Sequence, residues 1–112
     1  MRLFSVITLL LTSLLTSAVA HAQSPSITVG SKSFTESVIL GEILAGLAKN
    51  TGASVHHRKQ LGGTRILWNA LLRGEIDAYP EYTGTIAREI LANQKVTSRQ
   101  SMIDALALKG IS

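Results

Sequence analysis

Cysteine is absent from this 112-residue chain, and aromatic residues make up only 4% of it. Without cysteine there is no disulfide bond, no thiolate metal site and no cysteine nucleophile. The 11 Lys and Arg residues are scattered along the chain rather than clustered. Because a nucleic-acid groove needs basic residues interleaved with aromatic ones, the net charge of +4 indicates ordinary solvated surfaces and no nucleic-acid partner.

Residues 1–22 have the composition of a secretory signal peptide. Arg2 supplies a positive start, an apolar run follows from Leu3 to Leu15, and Ala20-His21-Ala22 places small residues at a cleavage position. The alternative is a membrane-anchoring helix, which needs about 20 mostly apolar residues. The apolar run is shorter and is interrupted by Ser and Thr. The sequence therefore favours cleavage after Ala22 and a mature chain that is free in the periplasm.

Apolar runs and helical spacings alternate along residues 23–112, enough for one small domain. They predict the order βαβαβαα, with strands at Ile27–Val29, Ser54–Lys59 and Glu75–Tyr79 and with helices from Ser33 to about Asn50, Thr64–Arg73, Thr85–Asn93 and Ser98–Leu108. Strands separated by helices imply an α/β fold with a parallel sheet.

Local signals sharpen these boundaries. Ser33 followed by Glu36 predicts a capping box at the first helix, and Thr97 followed by Gln100 predicts one at the last. Apolar residues at helical spacing predict the buried faces of the first two helices: Ile39, Leu40, Ile43, Leu44 and Leu47, then Ile66, Leu67, Ala70 and Leu71. Two glycines inside the first helix cost about 1 kcal/mol each relative to Ala, which predicts close packing on the sheet.

Three polar loops follow the predicted strands: Ser31–Glu36, Leu61–Thr64 and Pro80–Thr85. Because the carboxyl ends of parallel strands meet at one edge of the sheet, where ligands bind, we expect these loops to converge. Free N–H groups at the helix starts favour an anionic group. The loops add hydroxyl and ammonium donors, from Ser31, Lys32, Thr35, Thr64 and Thr83, while Gly62 and Gly63 let the backbone approach a ligand.

The residues give no indication of catalysis, of a metal or of a cofactor. An enzyme needs an acid, base or nucleophile with a group that orients it, and we find no such arrangement. His56 and His57 are neighbours on a predicted strand, so their side chains point to opposite faces and cannot chelate one metal together. The sequence assigns these histidines no role and predicts a binding protein.

Three motifs give the chain a family resemblance. GSKSFTE at 30–36, LGGT at 61–64 and YPEYTGT at 79–85 resemble, in order and approximate spacing, the osmoprotectant-binding family of ABC importers. These are periplasmic proteins for glycine betaine, choline, carnitine and proline betaine. The resemblance implies part of the first lobe of a periplasmic-binding-protein type II fold. In that fold the ligand lies between two lobes, and a membrane permease is the partner.

The resemblance also implies a small quaternary ammonium ligand. Such a group has no N–H to donate, so aromatic faces hold it, at about 0.5 to 2 kcal/mol each. Tyr82 is the first candidate and Tyr79 the second, although Tyr79 fits a core position equally well, and Phe34 is more typical of a packing contact. Glu81 adds negative charge. The family motifs also cover the remaining site candidates: Ser31, Lys32, Thr35, Gly63, Thr64 and Thr83.

Two positions and the length depart from the family. Ser37 stands where relatives often have glutamine, and Arg65 stands where a smaller or apolar residue is expected. Relatives are far longer, so we expect residues 23–112 to form an incomplete first lobe. The alternative is a small secreted module that binds a protein partner through the edge that would face the second lobe.

Overall fold

The computed structural model describes residues 22–112. The predicted signal peptide therefore lies outside the described residues, apart from Ala22. Strands and helices follow in the order β1 Ser26–Gly30, α1 Thr35–Lys49, β2 Ser54–Arg58, α2 Thr64–Leu72, α3 Thr83–Thr85, a π-helix Ile86–Ile90 and α4 Arg99–Ala107. None of the helices in this part of the chain combines the length and the hydrophobicity that a bilayer crossing requires.

The sheet consists of β1 and β2, which pair in parallel from Ser26 opposite Ser54 to Gly30 opposite Arg58. Parallel strands need a long crossover, and α1 provides it. Gly52 has φ +87°, the left-handed conformation that ends a helix, and so turns the chain from α1 into β2. The α/β fold class with a parallel sheet is confirmed.

The third predicted strand, Glu75–Tyr79, lies beside β1 but forms only one parallel bridge, between Val29 and Ala78. Asp77 is the reason. Its carboxylate accepts the N–H of Thr28 at 2.7 Å, and its own N–H donates to the Thr28 carbonyl at 2.7 Å. A side chain thus replaces a carbonyl of the ladder. The prediction of a regular strand is wrong, but the segment lies next to the sheet as a third strand would.

The small residues of α1, rather than its large ones, face the sheet. Ser37, Gly41 and Ala45 are its buried positions. Three residues of the predicted apolar face are exposed by 54%, 55% and 61%: Ile39, Ile43 and Leu47. For these three the predicted burial is wrong.

Close approach of α1 to β2 explains this choice. A Cβ on Gly41 would lie 2.5 Å from His57 Nε2 and 3.1 Å from Ser31 Cβ, so only a residue without a side chain fits. At Gly46 a Cβ would meet nothing within 4 Å. The predicted close packing of glycine is therefore confirmed at Gly41 and wrong at Gly46.

The hydrophobic core lies between α2 and the third segment. Leu67, Ala70 and Ile76 are buried together, and three more residues pack against them: Leu61, Leu71 and Tyr79. Burial of each large aliphatic side chain stabilises the fold by about 1.5 to 3 kcal/mol. Ile66, predicted to share this face, is 55% exposed. The cluster fixes the third segment, and hence the loop that follows it, against α2.

The helix starts differ from the predicted capping boxes. Phe34, not Ser33, is the N-cap of α1, and its backbone is extended. Ser33 is drawn instead to the second loop, where its hydroxyl donates to the Gln60 carbonyl at 3.2 Å. α4 does begin with a capping box, formed by Ser98 and Ser101, one residue beyond the predicted pair.

The predicted third helix, Thr85–Asn93, begins two residues earlier and changes its winding. α3 spans Thr83–Thr85 and continues directly into the π-helix Ile86–Ile90. There the Leu91 N–H donates to the Ile86 carbonyl at 2.8 Å, a bond across five residues. The helical part of this segment thus starts immediately after Tyr82.

Candidate functional site

Lys32 joins the three loops. Its Nζ donates to Glu81 Oε1 at 2.6 Å and to Thr64 Oγ1 at 3.0 Å. Lys32 follows β1, Thr64 begins α2, and Glu81 lies in the loop after the third segment. The side chains of Lys32 and Glu81 are only 7% and 6% exposed. The expected convergence of three loops at one edge of the sheet is confirmed; ligand binding there remains a prediction.

Backbone hydrogen bonds hold the first loop against β2 and the second loop. The Ser31 N–H donates to the Arg58 carbonyl at 3.1 Å, and the Leu61 N–H donates to the Ser31 carbonyl at 2.9 Å. The Lys32 N–H donates to Ser37 Oγ at 2.8 Å inside the protein. Ser37 stands where relatives often have glutamine, and its buried hydroxyl fixes the backbone of Lys32.

The Ser31 hydroxyl is not open to a ligand. Ser31 is fully buried, and its Oγ lies 3.0 Å from His57 Nε2. The other ring nitrogen of His57 faces Glu42 Oε1 at 3.2 Å. Lys59 pairs with the same carboxylate, and these contacts, Lys59 first, lower the pKa of Glu42. The Ser-His-Glu order resembles a hydrolase triad, but a serine that is 0% exposed cannot meet a substrate.

His57 is a residue that sequence reasoning missed. It ties the start of the first loop to β2 through Ser31. The sequence did contain a signal, because Gly41 is a glycine inside a helix and because the two histidines point to opposite faces of the strand, so one of them had to point inward. The sequence did not show that Gly41 and His57 touch.

Glu81 carries two contacts on one oxygen. Oε1 accepts from Lys32 and also from the N–H of Tyr82 at 3.0 Å. Oε2 is buried and has no hydrogen-bond partner among residues 22–112. Tyr79 lies nearby with its ring packed on the core. Burial, followed by the charge of Glu81, raises the pKa of Tyr79 well above its usual range, so its phenol stays neutral.

An aromatic pair stands on the open side of this site. The rings of Phe34 and Tyr82 stack with centroids 6.4 Å apart and an angle of 25° between their planes. They are 43% and 39% exposed. Each residue is the extended N-cap of a helix, Phe34 of α1 and Tyr82 of α3. The predicted packing contact of Phe34 is thus made with Tyr82 itself.

Glu36 completes this arrangement. It lies in the first turn of α1, and its carboxylate, together with burial and the charge of Glu81, raises the pKa of the Tyr82 phenol. We call Phe34, Glu36 and Tyr82 the aromatic ledge. Glu36 belongs to the first predicted loop but was not named as a ligand residue, and its position near Tyr82 was not foreseen because Tyr82 lies in another loop.

The remaining predicted site residues lie at helix starts. Thr35 and Thr83 are the exposed first residues of α1 and α3, and exposed Gly63 is the N-cap of α2. Gly62, with φ +141°, makes the turn that leads into α2. These residues share the edge, and among the predicted site residues in the described part of the chain, hydrogen bonds between side chains join Lys32 to Thr64 and to Glu81.

Metal chemistry has no support in the part of the chain that the structure describes. Between residues 22 and 112, no three His, Asp or Glu side chains lie close enough together to hold a metal ion. The edge instead combines a neutralised buried ion pair, hydroxyls, helix starts and an exposed aromatic pair. Such a surface suits a small polar ligand that carries an apolar cationic group.

Comparison with known proteins finds similarity to a family of binding domains and to a bacterial relative. Residues 25–109 match the family described as the substrate binding domain of an ABC-type glycine betaine transport system. Over 64 residues the chain is 43% identical to the glycine betaine-binding protein YehZ of Escherichia coli strain K12. The aligned segment is 57% of this chain and 21% of that relative, so it spans about a fifth of the relative's length.

Proposed function

Because the chain belongs to the family of substrate-binding domains of ABC-type glycine betaine transport systems, we propose that it forms one wall of a binding site for a quaternary ammonium osmoprotectant. Its fold is part of a periplasmic-binding-protein type II domain. In this proposal residues 23–112 are an incomplete first lobe. The whole protein binds its ligand without converting it and delivers it to a membrane permease.

The observation that supports this proposal most strongly is the meeting of the three motif loops around Lys32. Two hydrogen bonds from one ammonium group hold the loops together at the edge where parallel sheets bind ligands. We call Lys32, Thr64 and Glu81 the buried hub. Beside this hub, Tyr82 has a partly exposed ring. In this proposal the Tyr82 ring holds the trimethylammonium group of the ligand, and Thr64 at the start of α2 offers a hydroxyl to its polar end.

Charge supports the cationic half of the ligand in particular. Lys32 and Glu81 neutralise each other, whereas Glu36 leaves a net negative charge beside Tyr82. A cation on the Tyr82 face therefore meets both the ring quadrupole and a carboxylate. Glycine betaine, choline and carnitine share this cationic group, and the proposal covers all three.

Thermal unfolding of the purified chain with choline tests the proposal. The matched control is 3,3-dimethylbutanol, which has the shape of choline with a carbon atom in place of the charged nitrogen. A ligand that binds the folded state raises its stability in proportion to occupancy. We expect a saturable rise with choline and none with the neutral isostere. An equal response to both compounds, or none to any of the three osmolytes, contradicts the proposal.

Export to the periplasm is part of the same proposal, since import receptors of this kind work outside the inner membrane. Ala20-His21-Ala22 gives the cleavage position. N-terminal sequencing of the exported protein is expected to start at Gln23. A mature protein that retains Leu3 to Leu15 contradicts it.

The alternative function, a small secreted protein-interaction module, has an exposed apolar surface in its favour, although that surface lies on α1 and not at the sheet edge expected from the sequence to bind the partner. Ile39, Ile43 and Leu47 form an exposed apolar stripe on α1, at spacings of four residues. Substituting Ile43 by Lys separates the two functions. If the chain is a receptor lobe, the choline response stays unchanged. If the chain is an interaction module, it shows no choline response, and the substitution instead abolishes association with its protein partner.

A further inference from the structure

The aromatic ledge assigns a role to Phe34 that goes beyond the motif resemblance. We propose that Phe34 is a positioning residue for Tyr82, one that backs a single face of the Tyr82 ring and leaves the other face for an ammonium group. The identity of the ligand in this inference rests on the proposed function. The position of the Tyr82 ring, however, can be measured without a ligand.

The geometry of the pair supports the inference. The two rings are stacked with their planes 25° apart, and their centroid distance of 6.4 Å lies within the range that aromatic pairs favour. Both rings remain partly exposed, at 43% and 39%, so neither is simply a core residue. A ring backed on one side by Phe34 offers a ligand one face instead of two.

Phe34 is itself held in place by the second loop. The neighbouring Ser33 donates its N–H to the Gly62 carbonyl at 3.1 Å and its hydroxyl to the Gln60 carbonyl at 3.2 Å. On the other side, the Phe34 carbonyl accepts the Val38 N–H at 3.2 Å as α1 begins. The backbone of Phe34 is therefore fixed on both sides.

Tyr82 is fixed at its backbone by the buried hub. Its N–H donates to Glu81 Oε1, the oxygen that also accepts from Lys32. That contact leaves the ring free to rotate about its side-chain bonds. Phe34 stacks with the ring and restricts this rotation, and the Glu36 carboxylate is near enough to raise the pKa of the phenol. A ring that is ordered in advance loses less freedom on binding, which strengthens association.

The test uses the full chain with Tyr79→Phe as background, because the sequence has two tyrosines and this change leaves Tyr82 as the only one. Phe34→Ala removes the stack, Phe34→Leu keeps apolar volume without an aromatic face, and Phe34→Trp restores an aromatic face without adding a phenol. The first readout is the ionisation of Tyr82, followed by ultraviolet absorbance. Circular dichroism checks the fold of each variant.

We expect Phe34→Ala and Phe34→Leu to move the ionisation midpoint of Tyr82 towards that of free tyrosine, because the ring leaves Glu36 and gains water. Phe34→Trp should keep the midpoint of the background. The second readout is binding of tetramethylammonium. We expect it to weaken about three- to tenfold without the aromatic face, a change that lies within the range of one cation–π contact, and to recover with Trp.

The two readouts separate the two claims. An unchanged midpoint in both Phe34→Ala and Phe34→Leu overturns the positioning role, even if the chain binds tetramethylammonium. A shifted midpoint that Trp restores supports the role, even if no ammonium binds, and in that case only the proposed function fails. Should Phe34→Ala unfold, the comparison of Phe34→Leu with Phe34→Trp decides the question.

Discussion

Lys32 and Glu81 are 7% and 6% exposed in their side chains, whereas Phe34 and Tyr82 in the same loops are 43% and 39% exposed. The first pair is charged and buried, and the second is aromatic and open. A buried charge that loses its partner is costly, so the hub ties the loops to the stability of the fold. A half-exposed ring contributes less to folding and remains available to a ligand. The comparison separates the residues that hold the loops together from those that we propose contact the ligand.

Glu81→Ala breaks the buried Lys32–Glu81 pair, and we expect it to have the largest effect on stability. It leaves the Lys32 ammonium buried beside Thr64 without its counter-ion, and we expect a loss of about 3 to 5 kcal/mol in the free energy of unfolding. Urea unfolding followed by circular dichroism measures it. The control is Lys32→Met with Glu81→Leu, which removes both charges and should be clearly less destabilising than Glu81→Ala. Equal losses in the two variants would show that the pair is solvated.

Gly41→Ala tests the packing behind the hub. The new Cβ would lie 2.5 Å from His57 Nε2, and overpacking of this kind costs about 1 to 3 kcal/mol. Gly46→Ala in the same helix is the matched control. It has nothing within 4 Å, so it should stabilise the protein by about 1 kcal/mol through helix propensity. The same urea measurement applies. If both substitutions change the free energy of unfolding in the same direction, the difference in packing between the two glycines is contradicted.

Tyr82→Ala tests the exposed aromatic pair, Phe34 and Tyr82. The variant is made in a chimera in which this chain replaces the matching segment of the E. coli relative. Binding of glycine betaine or choline should weaken by about 1 to 2 kcal/mol, roughly tenfold in Kd, with little change in stability. Tyr82→Phe should cost less, because the ring face remains. If calorimetry finds Phe as damaging as Ala, the hydroxyl rather than the face holds the ligand.

The smallest expected effect is on the alkaline side of the stability profile. The pKa of Tyr79 is raised in the folded protein above its ordinary value of 10.0, so the folded state holds the phenolic proton more tightly than the unfolded chain does. The resulting stability is complete below that ordinary value and is lost as pH rises above it. Tyr79→Phe should flatten this decline. A decline of the same slope in both proteins would assign it to other groups.

The sequence predicted those parts of the fold that depend on local pattern. Strand and helix periods gave β1, α1, β2 and α2 close to their observed bounds. A topological rule then brought the loops at 31–36, 61–64 and 80–85 together without any knowledge of contacts. The convergence at Lys32 follows from these two steps.

The features that sequence reasoning missed depend on pairs of distant residues. Asp77 bonds to Thr28 across 49 residues and thereby reduces the third strand to a single bridge. His57 meets Ser31 across 26 residues, and the contact requires Gly41 in a third element. Apolar spacing alone predicted burial of Ile39, Ile43 and Leu47, whereas close contact with His57 selects the small face of α1.

The most direct test of the central claim, that the edge beside the Lys32–Glu81 pair is one wall of an ammonium site, is a titration of the isotope-labelled chain with choline, followed by NMR. A single wall leaves most of the ligand in water, so we expect a Kd no better than about 1 mM. Signals of Phe34, Thr64, Tyr82 and Thr83 should shift together, while those of Ile39, Ile43 and Leu47 stay fixed. A micromolar Kd would contradict the single-wall account, and saturable shifts confined to the α1 stripe would contradict the placement of the site.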